Sequence, residues 1–166
     1  IDGVYLGSSE PVIGKAVSYV AECGFPCYCT KEQWTTIQNK AKLKELFIKF
    51  DIPVVPRYEI SYDEIDALAS GIDFPVITKP ADGCGSSGFT VCYNAEDLKK
   101  GYLLAAENSA SGEVMIEKYV NNQGVVAFFS FSNGKMLFLG MEDKYPRIYQ
   151  EGGSYVAGLL VFESRF

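Results

Sequence analysis

Apolar residues recur at helical spacing in several stretches of the chain and in short continuous or alternating runs elsewhere, so the pattern alone predicts a mixed fold of helices and strands. Val12, Ile13, Ala16, Val17, Val20 and Ala21 form a stripe behind Pro11, a residue suited to a first helical turn, and Gly24 ends it. The apolar segments Val4–Leu6 and Pro26–Cys29 flank that helix and predict two strands, the tail of an open α/β sheet. Thr30 with Gln33 and Ser61 with Glu64 have the spacing of capping boxes. Asn39 is placed to cap a helix carrying Leu43, Leu46, Phe47 and Phe50, which Asp51-Ile52-Pro53 breaks. Asn94 caps another, bearing Leu98, Tyr102, Leu103, Ala105 and Ala106.

Strands are predicted at Pro75–Thr78, Phe89–Tyr93, Val114–Glu117, Val125–Phe131, Met136–Met141 and Tyr155–Phe162. Asn133-Gly134 is a strong hairpin signal between two of them. Phe128, Phe129, Phe131 and Phe138 are expected to form the floor of that sheet. The charged run Glu142, Asp143, Lys144, Tyr145 and Arg147 reads as a solvated edge, followed by a turn at Gly152-Gly153.

One connection is too rich in glycine and small polar residues to be ordinary packing: Phe74 to Tyr93 reads FPVITKPADGCGSSGFTVCY. Gly83, Gly85 and Gly88 remove the Cβ atoms that would keep an anion from the backbone N–H groups, and Ser86 and Ser87 add hydroxyl donors. Lys79 sets a cation at the mouth of the loop, and phosphate is the natural guest. By itself the stretch reads equally as a flexible hairpin turn with a surface lysine. A P-loop is excluded, because that motif needs Lys-Ser/Thr directly after its glycines and then a helix. A protein-kinase hairpin places its lysine on a later strand than the loop, whereas here the lysine comes first.

Composition narrows the field. With 48% hydrophobic and 14% aromatic residues the chain has the means to bury a core, and its net charge of −6 gives no basic footprint for nucleic acid or an anionic membrane. No apolar run approaches the roughly 20 residues of a bilayer span, and no leader opens the chain, so a cytoplasmic setting is expected. Five cysteines without a single histidine fit reduced core thiols better than a disulfide framework or a metal site. The abrupt ends, Ile1 and Phe166, suggest a piece of a longer protein.

The order of a lysine strand, a glycine-rich loop and then VMIEKYV at Val114–Val120, preceded by NKAKLKELFIKFDIPVVP at Asn39–Pro56, resembles the ATP-grasp superfamily. It is most similar to the branch holding the carbamoyl phosphate synthase large chain, D-alanine–D-alanine ligase and biotin carboxylase. The resemblance implies an α+β fold: an ATP-grasp lid and part of the core subdomain, preceded by the last α/β unit of a pre-ATP-grasp domain. Its expected divisions are 1–38 for the preceding unit and linker, 39–72 for linker helices, 73–117 for the lid and 118–166 for the start of the C-terminal subdomain.

For the site the resemblance implies that Lys40 and Lys79 neutralise nucleotide phosphates and that Gly83, Gly85, Ser86, Ser87 and Gly88 cover them. Glu117, Lys118, Tyr119 and Val120 would form the adenine hinge, with Glu117 supporting the exocyclic amine and Lys118 reaching toward the base or phosphates. Gly124 stands where many relatives place an acidic residue on the ribose, leaving Gln123 or Asn122 to serve it or the contact missing. Lys144 and Arg147 are the candidates on the acceptor-substrate side. ATP and Mg²⁺ are the expected cofactors, with metal ligands beyond Phe166; a small carboxylate and an amine are the expected substrates, and a homodimer stays open as the assembly.

The implied activity is activation of a carboxylate as an acylphosphate for attack by an amine or similar nucleophile, with this piece alone inactive. Two alternatives stay open: an ATP-dependent phosphotransferase acting on a hydroxyl, and a non-catalytic nucleotide-binding regulatory module.

Overall fold

A computed structural model describes residues 2–7, 9–120, 124–146 and 157–164. Two antiparallel sheets carry the fold, one of four strands and one of three. Helix α1 (Glu10–Glu22) buries Ile13, Val17 and Val20 and packs on α2 (Lys31–Gln38), where a Cβ at Gly14 would sit 3.0 Å from the Trp34 indole nitrogen. The capping box at the start of α2 is formed, with Gln33 N–H donating to Thr30 Oγ1 and Thr30 N–H to Gln33 Oε1. Asn39 then caps α3 (Lys40–Lys49) by accepting from Lys42 N–H at 2.9 Å. The two helices therefore share one polar corner, from which Lys40 N–H also donates to the Ala81 carbonyl at 2.8 Å. That bond ties the start of α3 to the root of the glycine-rich loop.

The four-stranded sheet runs in the order β1-β4-β2-β3, with β1 Arg57–Tyr58, β2 Val76–Pro80, β3 Thr90–Cys92 and β4 Val114–Lys118. Strand β2 alternates buried and half-buried positions, as a period of two demands of a strand covered on both sides. One face gives Val76 to a core of Ile65, Ile72, Cys92, Leu98 and Ile116, under helix α4 (Ile65–Leu68) and helix α5 (Ala95–Glu107). Asn94 caps α5 through Asp97 N–H. Gly101 lets that helix cross β2 closely, since a Cβ there would lie 2.5 Å from Thr78 Oγ1. The other face of the sheet presents Ile77 and Lys79 on β2 opposite Glu117 and Met115 on β4, toward α3.

The three-stranded sheet, order β5-β6-β7, comprises β5 Val125–Ser132, β6 Lys135–Pro146 and β7 Ala157–Phe162. Asn133 (φ 49°) and Gly134 (φ 73°) supply the two left-handed residues that a tight hairpin of matching twist requires.

Three expectations are corrected. Val4–Leu6 and Pro26–Cys29 form no strands among the described residues. They run beside each other, through the Tyr5–Tyr28 ring contact and the Tyr28 hydroxyl on the Gly7 carbonyl, but Pro26 has no N–H to donate and no ladder forms. Phe128, Phe129, Phe131 and Phe138 are not a buried floor: each is at least 40% exposed, because no described helix covers either face of the second sheet. Glu142–Tyr145 are not a solvated edge but continue β6, with Asp143 buried and accepting from Ser164 Oγ at 2.6 Å. Arg147 and the turn at Gly152-Gly153 lie outside the described residues.

Candidate functional site

The glycine-rich loop leaves the end of β2 and returns into β3. Gly85 and Ser86 adopt left-handed conformations at φ 67° and 57°, and Ser87 Oγ closes the turn on the Cys84 carbonyl at 3.1 Å. Gly88, at φ 71°, packs where a Cβ would come within 2.4 Å of the Asn108 side chain. Only glycine meets both demands, one on the backbone and one on space. Asp82 fixes the root of the loop, accepting from Ser109 Oγ at 2.7 Å, Ala110 N–H at 3.2 Å and Ser111 N–H at 2.9 Å. Burial pushes its carboxyl up, but the hydrogen bonds from Ser109 and Ser111 outweigh that and hold it below the usual value.

Beneath the loop is an open cavity of about 660 Å³, within the range of small-molecule and cofactor sites. Lys40, Lys79, Gly83, Gly85, Ser86 and Ser87 line it on the loop side, Tyr119 and Val120 on the strand-end side, and Lys144 of β6 together with Gly124, the residue ahead of β5, from the second sheet's side. Ile37, Ile77 and Phe89 supply apolar wall. The lining is divided between two lysines with the glycine-rich loop and apolar side chains with a strand end. That division suits a ligand with a charged tail and a flat apolar head.

Lys79 is held by Glu117, whose Oε2 accepts its ammonium at 2.6 Å. The other carboxylate oxygen accepts from Lys44, a residue of α3 that also donates to the Val55 carbonyl at 2.7 Å. Burial alone would push Glu117 up; the bonds from Lys44 and Lys79 bring it below the ordinary 4.5, so it is ionised at neutral pH. Lys40 donates to the carbonyls of Pro80 (3.2 Å) and Gly83 (2.5 Å), bridging the neck of the loop. Burial and then neighbouring Lys79 lower its pKa.

Most of the described residues singled out in the sequence converge on this cavity, and three do not. Gly88 serves packing behind the loop rather than the wall. Glu117 lies behind Lys79, with both oxygens on lysines rather than directed at a ligand. Lys118 points to the opposite face of β4, where it donates to Asp73 Oδ2 at 2.7 Å and to the Asp73 carbonyl at 2.9 Å. Strand alternation explains the difference: if Glu117 shares the face of Lys79, its neighbour takes the other. Gln123, like Arg147, falls outside the described residues.

At the strand end the two ladders stop at prolines. Lys118 N–H donates to the Pro56 carbonyl at 3.0 Å and Tyr119 N–H to the Pro75 carbonyl at 3.1 Å, and neither proline has an N–H to return. Sequence reasoning missed Lys44, Ile37, Ile77 and Phe89. Lys44 stands one helical turn after Lys40, but nothing local marks its pairing with Glu117.

The lysine strand, the glycine-rich hairpin and the strand end stand around one cavity on an α+β frame, in the order that the ATP-grasp resemblance implies. The family described as carbamoyl-phosphate synthase L chain, ATP binding domain, matches residues 39–128, and the chain belongs to it. Among curated proteins it is 28% identical over 122 residues to the 2-oxoglutarate carboxylase small subunit of Hydrogenobacter thermophilus, covering 66% of this chain and 26% of that protein. It is 34% identical over 83 residues to the carbamoyl phosphate synthase large chain of Saccharolobus islandicus, covering 49% of this chain and 8% of that one. The chain thus spans a minor part of these relatives.

Among solved structures, biotin carboxylase of Campylobacter jejuni in complex with beta-gamma-ATP superposes with a TM-score of 0.67 at 25% identity, over 90% of this chain and 35% of that one. D-alanyl-alanine synthetase A of Vibrio cholerae superposes at 0.70 and 20% identity, over 81% and 42%. The second likeness is one of fold.

No helix among the described residues is long and apolar enough to cross a membrane.

Proposed function

We propose that the chain supplies the ATP-binding part of a ligase that activates a carboxylate as an acylphosphate, for attack by an amine or similar nucleophile. The observation carrying this reading is that Lys79, the loop around Ser86 and the strand-end residues Tyr119 and Val120 wall the same cavity of about 660 Å³. Phosphates would sit against Lys79 and the loop amides, and Lys40 would turn from the Pro80 and Gly83 carbonyls to meet them. The base would stack between Ile77 and Phe89, with the Lys118 carbonyl and Val120 N–H offered as its polar contacts.

Such transfer is positioning and charge neutralisation more than covalent chemistry by the protein. In the proposed order, lysines and loop amides draw charge from the γ-phosphoryl group, and a carboxylate oxygen attacks the γ-phosphorus from the side bordered by Lys144, with Arg147 as a second acceptor-side cation. The bond to the β-phosphate oxygen breaks and ADP leaves, and the amine then attacks the acylphosphate carbon and expels inorganic phosphate. Among the described residues no three His, Cys, Asp or Glu side chains gather to hold a metal, so Mg²⁺ would arrive with the nucleotide and take its protein ligands from elsewhere. The proposed divisions of the chain are those expected from its sequence, with the lid at 73–117.

Lys79→Ala in the full-length protein should weaken ATP binding by ~1.5–3 kcal/mol, the size of one charge-assisted contact. Calorimetric titration returning an unchanged affinity would remove the phosphate from this lysine and the reading with it.

A further inference from the structure

Lys44 does not touch the cavity, yet it belongs to the cluster that governs the cavity's charge. It stands one turn beyond Lys40 on α3, and its side chain is 13% exposed. Its ammonium takes one oxygen of Glu117, a carboxylate only 5% exposed, while Lys79 takes the other at 2.6 Å. Two cations and one anion thus share a buried contact, of which Lys79 alone reaches the cavity wall.

We infer that Lys44 is a positioning and charge-compensating residue for the phosphate site, acting through Glu117 on Lys79. Glu117 does two opposed things for Lys79. It orients the ammonium, and it cancels the positive field an anion would feel. A lone Lys79–Glu117 pair sums to zero charge beside the ligand. With Lys44 on the second oxygen the cluster sums to one positive charge, and the carboxylate still aims Lys79 at the loop. The lowered pKa of Glu117 fits a carboxylate kept ionised by two ammonium groups despite its burial. Nothing else among the described residues ion-pairs with either Glu117 oxygen.

This inference rests on the nucleotide reading, and its signature is dependence on ligand charge. A charge effect grows with the number of phosphates on the ligand, whereas simple loosening of α3 would weaken every nucleotide alike. ATP and AMP are the probes, titrated calorimetrically into the full-length wild type, Lys44→Met, Lys44→Arg and the double variant Lys44→Met/Glu117→Gln. Removing one compensating charge should raise the Kd for ATP roughly tenfold and that for AMP only about threefold. Lys44→Arg keeps the charge and should stay within about twofold of wild type. The double variant restores the net charge and should recover most of the ATP affinity, and it also removes the buried anion that would be left half-paired.

Equal losses for ATP and AMP, or no loss in Lys44→Met, would overturn the role of Lys44 while leaving the nucleotide site standing. Should Lys44→Met fail to fold, the double variant decides: ATP affinity more than about tenfold below wild type overturns the inference, and near-wild-type affinity supports it. A wild type that binds neither nucleotide would overturn the site and the inference together.

Discussion

Val76, Cys92, Leu98 and Ile116 in the four-stranded sheet and its helix are sealed from water, whereas in the three-stranded sheet Phe131 is 74% exposed and Met136, Leu137 and Phe162 all exceed 60%. Both sheets are antiparallel and both are rich in apolar residues. They differ in what lies across them. The first has α5 on one face and α3 on the other, and the second has no described helix on either. The cavity is accordingly built on the half whose burial holds it rigid: Lys79, Pro80 and Ile77 from β2, Lys40 from α3 and the loop between β2 and β3. From the open sheet's side come Lys144 of β6 and Gly124, the residue ahead of β5. A phosphate cradle needs side chains held in place before the ligand arrives, and the covered sheet provides that.

The comparison predicts where stability resides. Leu98→Ala, at a fully buried position of α5, should cost about 2–5 kcal/mol by lost transfer energy and cavity formation, read as a lower denaturant midpoint. A loss below about 1 kcal/mol would mean that the covered sheet is no more essential than the open one. Glu117→Gln comes next, at about 2–3 kcal/mol near neutral pH, because it leaves Lys44 and Lys79 half-buried with only a neutral partner.

This second effect carries a pH signature. The folded-state pKa of Glu117 is depressed below 4.5, so its stabilisation is fully present above that value and is lost as pH falls through the lowered folded pKa. Wild type and Glu117→Gln should therefore converge in stability on acidification, and parallel curves down to low pH would dissociate the carboxylate from the effect.

How much of this was legible in the sequence follows the same division. Helix starts at Thr30, Asn39 and Asn94 were readable because capping is local chemistry between residues three apart, and all three caps formed. The hairpin around the glycine-rich loop and the Asn133-Gly134 turn were readable for the same reason. What failed depended on partners far along the chain. The aromatics at Phe128–Phe131 look like core by composition, but burial is decided by what covers a sheet, not by what it contains. The resemblance implied a ligand-side role for Lys118, but alternation along β4 puts it on the face opposite Glu117 and sends it to Asp73. Lys44 was passed over because its partner lies 73 positions away. Pairings of that range need the fold.

A smaller effect tests the covered sheet's outer helix. Asn94→Ala removes the acceptor for Asp97 N–H at the start of α5 and should cost about 1 kcal/mol, since the helix remains packed through Leu98 and Ala105. Asn94→Ser should recover most of it.

The smallest effect is the sharpest test of the contrast. Phe131 lies one residue before the end of β5, paired across the ladder with Met136, and three-quarters of its surface is already in water. Phe131→Ser therefore removes little buried apolar area and weakens one exposed cross-strand pair, so the denaturant midpoint should move by less than about 0.5 kcal/mol equivalent. A loss approaching that of Leu98→Ala would mean the ring is covered in solution by further polypeptide seated on this face. The two sheets would then differ in what covers them and not in how much stability they hold, and Lys144 would sit on a frame as rigid as that of Lys79.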